Sequence, residues 1–142
     1  MDKIDIIKVS SEEELKKVYQ IRTTVFVEEQ NCPAELEWEN EDVSTHFLAK
    51  FNKEPAGACR WRETEKGYKL ERFAVLPQFR GKGIASKMIA TLIADLPQNA
   101  DYVYLHAQVT AMPLYQLANF KAVGEMFEEA SIQHYKMVLD KK

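Results

Sequence analysis

Gln78-Phe79-Arg80-Gly81-Lys82-Gly83-Ile84-Ala85 is the stretch on which the reading of this chain turns. It follows a strand-like run and Leu76-Pro77, and it opens a segment in which Ile84, Met88, Ile89, Leu92 and Ile93 recur at helical intervals. This amphipathic helix should end near Leu96-Pro97. Backbone N–H groups at a helix start lack intrahelical partners, and the helix dipole adds positive potential there. Glycines let the backbone come close to oxygen atoms and take positive φ. Arg80, Lys82 and, further along, Lys87 add cationic charge. A phosphate or pyrophosphate ligand is the physical inference; a glycine-rich turn that only starts a helix is the plain alternative. Other phosphate motifs fit worse. A Walker A loop needs Gly-Lys-Ser/Thr where this chain has Ser86-Lys87. Read as GxGxxG, Gly81 and Gly83 match but Ser86 stands in the third place, and a dinucleotide fold needs more parallel strand–helix–strand units than this chain offers.

Upstream lie three strand-like runs in close succession. His46–Phe51 leads through Asn52-Lys53-Glu54-Pro55 to Ala56–Arg62, and Glu63–Gly67 leads to Tyr68–Val75. Such tight spacing predicts antiparallel hairpins. Gly57 should relieve crowding or mark a bulge. Simple alternation in the third run puts Glu71, Phe73 and Val75 on one face, and Arg72 and Ala74 on the other. Further upstream, Ile4–Val9 reads as a first strand. Ser11 and Glu14 have capping-box spacing, and Leu15, Val18, Tyr19, Arg22 and Phe26 form a helical stripe.

Between Glu28 and Ser44 come seven acids, no Lys or Arg, and both Pro33 and Trp38. A connection this long in a small domain is often functional, although a solvated acidic surface explains it equally well. Downstream, Tyr102–Val109 alternates, with Val103, Leu105, Ala107 and Val109 on one face and Tyr104, His106 and Gln108 on the other. A short helix over Met112–Ala118 should close at Asn119, which accepts left-handed geometry. Phe120–Phe127 and Ile132–Leu139 read as a terminal strand pair. The predicted core is Ile84, Met88, Ile89, Leu92, Val103, Leu105, Phe73 and Phe47.

The 142 residues fit one domain, 1–142. With 19 Lys+Arg against 22 Asp+Glu, the formal net charge of −3 and the lack of a long basic run argue against nonspecific nucleic-acid binding. No run approaches about eighteen apolar residues, so neither a membrane span nor a membrane partner is expected. The N-terminus carries no basic region followed by an apolar stretch, so no secretory signal is read. Cys32 and Cys59 are too few for a disulfide scaffold and too isolated for a zinc site, so no metal is expected and a reducing, cytoplasmic setting is the default.

Gln78-x-x-Gly81-x-Gly83-Ile84-Ala85, preceded by Glu71-Arg72-Phe73-Ala74-Val75, resembles the acetyl-CoA signature of the GNAT superfamily of N-acetyltransferases. The element order matches, as does Leu114-Tyr115-x-x-x-Asn119-Phe120. The resemblance covers essentially the whole chain. Ile21-Arg22-x-x-Val25-Phe26-x-x-Glu29-Gln30 and Ile132-x-His134 are similar to the ElaA-like branch of that superfamily. It implies an α/β fold with a mixed, mostly antiparallel central sheet flanked by helices. It also implies transfer of an acetyl group from acetyl-CoA, as co-substrate, to an amine on a small molecule or a protein.

By the same resemblance, the strand carrying Phe73, Ala74 and Val75 would splay from the strand that begins near Tyr102, and pantetheine would pair with its free edge. The N–H of Val75 would polarise the thioester carbonyl. Gln78 and the residues from Arg80 to Ala85 would cradle the pyrophosphate, with Gln108 standing where the family often has Asn. Asn119 replaces a Gly usual in the family. Tyr115 would protonate the departing thiolate.

The attacking amine must be neutral, so a base is required. Glu71 is the first candidate, with ion pairing to a neighbouring cation as its structural alternative. His106 has a suitable unperturbed pKa of about 6.5, and His134 is comparable. Arg22, Phe26, Trp38 and His134 are candidates for the acceptor side. The acidic stretch suits a cationic amine, whereas Arg22 suggests an anionic group on the acceptor. Two readings remain beside acetyl transfer: a non-catalytic CoA-binding or regulatory domain, and a transferase using another acyl-CoA. Homodimers are frequent in the family, but no segment here demands one.

Overall fold

The computed structural model describes residues 2–30, 43–129 and 131–140. Strand β1 (Ile4–Lys8) leads into helix α1 (Glu12–Arg22), which widens into a π-helical turn over Thr23–Glu29. Strands β2 (Ser44–Phe51), β3 (Glu54–Glu63) and β4 (Tyr68–Val75) follow. Helix α2 (Ile84–Asp95), strand β5 (Val103–Gln108), helix α3 (Met112–Leu117) and strands β6 (Phe120–Glu129) and β7 (Ile132–Leu139) complete the fold. The seven strands form one sheet in the order β1-β2-β3-β4-β5-β7-β6. Every pair is antiparallel except β4–β5. No helix among the described residues is long and apolar enough to cross a membrane.

Helices pack on both faces of the β2–β4 part of the sheet. On one, α2 buries Ile84, Met88, Ile89 and Leu92 against Phe47, Leu70, Val103 and Leu105. Each such side chain contributes roughly 1.5–3 kcal/mol through removal from water. Phe73 completes the expected core only in part, being half-buried at the rim. On the other face, α1 packs Val18, Ile21 and Val25 over Leu48, Ala58 and Ala74. Ser11 caps α1 by accepting the Glu14 N–H at 3.2 Å, while the Glu14 carboxylate accepts the Ser10 N–H at 2.8 Å, one residue upstream of the usual capping-box partner. The π-helical register shows in the Gln30 N–H, which donates to the Val25 carbonyl at 3.1 Å.

Two features of β4 position the site. First, β4 pairs with β5 only through Tyr68–Val103, Lys69–Tyr104 and Leu70–Leu105, although the strands run on to Val75 and Gln108. Beyond Leu70 they part. Second, β4 is bulged: Ala58 faces Ala74 but Arg60 faces Glu71, so three steps on β4 match two on β3. Arg72 absorbs the extra residue with φ of 59°.

The bulge corrects the alternation expected for this strand. Leu70, Phe73 and Val75 pack on the α2 side, whereas Ala74 packs under α1 and Glu71 joins Arg60. Glu71 therefore does not share a face with Phe73 and Val75. A second correction concerns Val109, which lies in a single 3₁₀ turn after β5 and is 38% exposed, so it does not extend the buried face of that strand. Gly57 relieves crowding as expected: a Cβ there would sit 2.8 Å from the Ala74 carbonyl oxygen.

Candidate active site

Where β4 and β5 part, a cleft of about 830 Å³ opens. β4 lines it with Glu71, Arg72, Phe73, Ala74 and Val75, and β5 with His106 and Gln108. Tyr115 reaches it from α3, His134 from β7 and Phe26 from the π-helical turn. The Leu76 N–H donates to the Ala56 carbonyl on β3 at 2.8 Å. Because strand groups alternate in direction, the N–H and C=O of Val75 lie along the opposite edge, toward the gap. The Val75 carbonyl there accepts Arg80 Nε at 2.9 Å.

The glycine turn forms a shelf beyond the end of β4. Gly81 and Gly83 have φ of 79° and 85°, a left-handed geometry that side chains resist. A Cβ built at either would meet nothing within 4 Å, so the space over this backbone is open. The first helical bond of α2 runs from the Lys87 N–H to the Gly83 carbonyl, which leaves the N–H groups of Ile84, Ala85 and Ser86 ahead of it. This cradle fits a diphosphate. Arg80 is also tied through both terminal nitrogens to Glu29, at 2.9 and 2.7 Å. Lys82 Nζ lies 5.3 Å from the Phe51 ring centroid. Lys87 donates to the Ile4 carbonyl at 2.9 Å, so it is turned toward β1 and is not one of the shelf's cations.

Tyr115 is 7% exposed, with its ring edge-on to Phe73 and Phe120 at centroid distances of 5.7 and 6.3 Å. Burial, and secondarily the neighbouring Cys59, push its phenol above the ordinary value of 10. The phenol therefore keeps its proton at neutral pH. Cys59 is a buried free thiol whose own pKa is raised by burial, the condition of an inert cysteine.

Glu71 is 8% exposed and surrounded by cations. Arg60 Nε and Arg62 Nε both donate to its Oε2 at 2.8 Å, and Lys69 Nζ stands 3.3 Å from Oε1. Burial alone would raise this carboxyl, but Arg60, Lys69, the Arg62 hydrogen bond and Arg72 outweigh it and hold the group at about 2. The ion-pair alternative raised for Glu71 is thus what the fold displays.

The remaining titratable groups gather at the β5–β7–β6 end. His106 Nδ1 is 3.3 Å from Glu129 Oε2, and His134 Nε2 is 3.9 Å from Glu129 Oε1. Sequence reasoning missed Glu129; a β6 irregularity places it, with four steps from Val123 to Phe127 matching two on β7. It missed Gln30 too, which accepts Gln108 Nε2 at 3.1 Å across the cleft mouth. Arg22 does not line the cleft: it is 1% exposed, with its guanidinium carbon 5.9 Å from the Tyr19 ring centroid. Trp38 and Cys32 lie outside the described residues.

Comparison with known proteins agrees with this architecture. Residues 6–141 match the family model described as an acetyltransferase (GNAT) domain. The chain is 36% identical over 133 residues to the uncharacterized N-acetyltransferase YjcF of Bacillus subtilis, covering 92% of this chain and 95% of that one. An acyl-CoA N-acyltransferase from Pseudomonas aeruginosa superposes with a TM-score of 0.83 at 27% identity, over 97% of this chain and all (100%) of the other. Escherichia coli ElaA superposes with a TM-score of 0.80 at 27% identity, over 99% and 100% of the two chains. A splayed strand pair beside an open glycine shelf, in a chain matched almost end to end, places this protein in the GNAT acetyltransferase family.

Proposed function

We propose that the protein moves an acetyl group from acetyl-CoA to a primary amine by direct attack. The observation that carries this reading is the parting of β4 from β5 beside the Gly81–Gly83 shelf, with Tyr115 on the cleft wall. Bound acetyl-CoA supplies an activated acyl carbon and a thiolate leaving group. The amides of Ile84 and Ala85, with Gly81, Gly83, Arg80 and Lys82, hold the diphosphate. Gln78 shapes the turn before it. Phe73 and Ala74 border the edge along which pantetheine lies, and the Val75 N–H faces the thioester oxygen as negative charge develops there.

Tyr115 gives its proton to the departing sulfur. Its place on the cleft wall supports this role; the phenol is protonated at neutral pH, and burial makes it a weaker acid than a free phenol. Glu71 suits the base role poorly, since a carboxyl held at about 2 has little affinity for a proton. We read it as the anchor of Arg60, Arg62 and Lys69, and assign proton acceptance to a cleft histidine, His106 or His134. Phe26 and His134 border the acceptor. The buried free thiol of Cys59 is in keeping with a reducing, cytoplasmic setting.

The test is acetyl-CoA with a panel of primary amines, read by free-thiol release beside calorimetric titration of the coenzyme. Amine-dependent thiol release is expected. Coenzyme binding with no release for any amine would assign a binding domain instead, and faster release from a bulkier acyl-CoA would reassign the donor.

A further inference from the structure

The cleft holds an unused polar slot between Glu129 and His134. His134 is 6% exposed, and its Nδ1 lies 2.7 Å from the Ile132 carbonyl oxygen. A carbonyl oxygen only accepts, so Nδ1 carries a proton, and in the neutral tautomer with that proton Nε2 presents a lone pair. That lone pair faces another acceptor, Glu129 Oε1, at 3.9 Å. Among the described residues Nε2 makes no hydrogen bond, although the ring is more than nine-tenths buried and borders the cleft. Two acceptors at this separation leave room for a donor with more than one N–H. Glu129 is itself half-exposed to the cleft, with 46% of its side chain accessible.

The surroundings hold this arrangement in place. The Phe127 ring stacks on His134 at 5.8 Å and 22°, and meets His106 edge-on at 5.0 Å. His106 Nδ1 pins the second Glu129 oxygen at 3.3 Å. Lys69 on β4 also faces the carboxylate. Both histidine rings are thereby fixed around one anionic group.

We propose that Glu129 and His134 form the docking site for the acceptor's ammonium group, which donates one N–H to Glu129 Oε1 and another to His134 Nε2. The acceptor is thus a cation before reaction, and Glu129 supplies the charge that selects it over a neutral alcohol. This rests on reading the cleft as an acetyl-transfer site. Of the ammonium's three protons, one remains on the amide product and one passes to His134 Nε2 before attack. The third leaves nitrogen as the C–N bond forms and the C–S bond breaks, and it goes to the Tyr115 oxygen, which has given its own proton to the thiolate.

The experiment uses propylammonium as probe and propanol as its neutral counterpart, followed by NMR of the histidine rings in the full chain. Propylammonium should shift His106 and His134, and propanol should not. Glu129→Gln, which keeps size and removes charge, should weaken the probe and raise the amine KM roughly 10- to 100-fold. It should leave acetyl-CoA affinity and thermal stability near those of the parent. Rings that ignore propylammonium, or a Glu129→Gln variant with the parent's amine KM, overturn the docking site while leaving acetyl transfer intact. Ammonium binding that depends on Glu129, with no thiol release for any amine, upholds the site and overturns the transfer reading instead.

Discussion

Arg80 grips both carboxylate oxygens of Glu29, 51 residues earlier in the chain, at 2.9 and 2.7 Å. The pair joins the end of the π-helical turn to the glycine shelf, and Arg80 keeps a third bond to the Val75 carbonyl. Both side chains are about 40% exposed, so the pair adds at most about 1 kcal/mol to stability. Its larger effect is on charge. Glu29→Gln removes an anion that competes with the diphosphate, while Arg80 stays tethered through Nε. Acetyl-CoA should bind severalfold more tightly, with a steeper salt dependence, by calorimetry at two ionic strengths. Unchanged or weaker binding would mean that Glu29 positions Arg80 instead of competing for it.

Glu71→Gln should be costly. It leaves Arg60, 1% exposed, without its buried counter-charge, a change of about 3–5 kcal/mol. The folded carboxyl sits at about 2 against an ordinary 4.5. A depressed acid stabilises fully above its unfolded value and loses that contribution as pH falls toward the folded one. Urea melts of the parent should therefore lose on the order of 3 kcal/mol from this group between about pH 4.5 and pH 2. The variant should show a shallower acid slope; equal slopes would remove Glu71 from the account.

Tyr115→Phe keeps the ring against Phe73 and Phe120 and deletes only the phenol oxygen. The fold should melt normally while kcat drops about 10²–10⁴-fold. Because the phenol is raised above 10, the parent's kcat should show no alkaline fall from this group below that pH. A variant that turns over at the parent's rate would retire the acid assignment.

Gly83→Ala separates strain from ligand contact. The residue sits at φ of 85° with open space around a would-be Cβ, so the folding cost is conformational alone, roughly 1–2 kcal/mol. The same methyl projects over the shelf, so acetyl-CoA affinity should fall by more than the melting temperature suggests. Full coenzyme affinity in a destabilised variant would move the diphosphate elsewhere.

Much of this molecule could be read from local pattern. The Gly81-x-Gly83 turn, the α2 stripe from Ile84 to Leu92 and the left-handed Asn119 (φ of 73°) all stand where spacing put them. Each depends on residues within a few positions of one another. The errors share a different origin. Simple alternation misplaces Glu71, because Arg72 takes a positive φ that no glycine announces. A helical stripe groups Arg22 with its face-mates but does not show that the fold buries it. Glu129 went unread because its partners are 23 residues away on β5 and across a β7 register that only the β6 irregularity sets.

Periodicity and turn chemistry thus dictated the order of elements and the phosphate-shaped corner, since both arise from backbone geometry that neighbouring residues control. The packed sheet decided which titratable groups meet in the cleft, which carboxylate is spent on cations and which stays open to a ligand. Those outcomes depend on strand register and on the field of distant charges, and neither is written in any short stretch of chain.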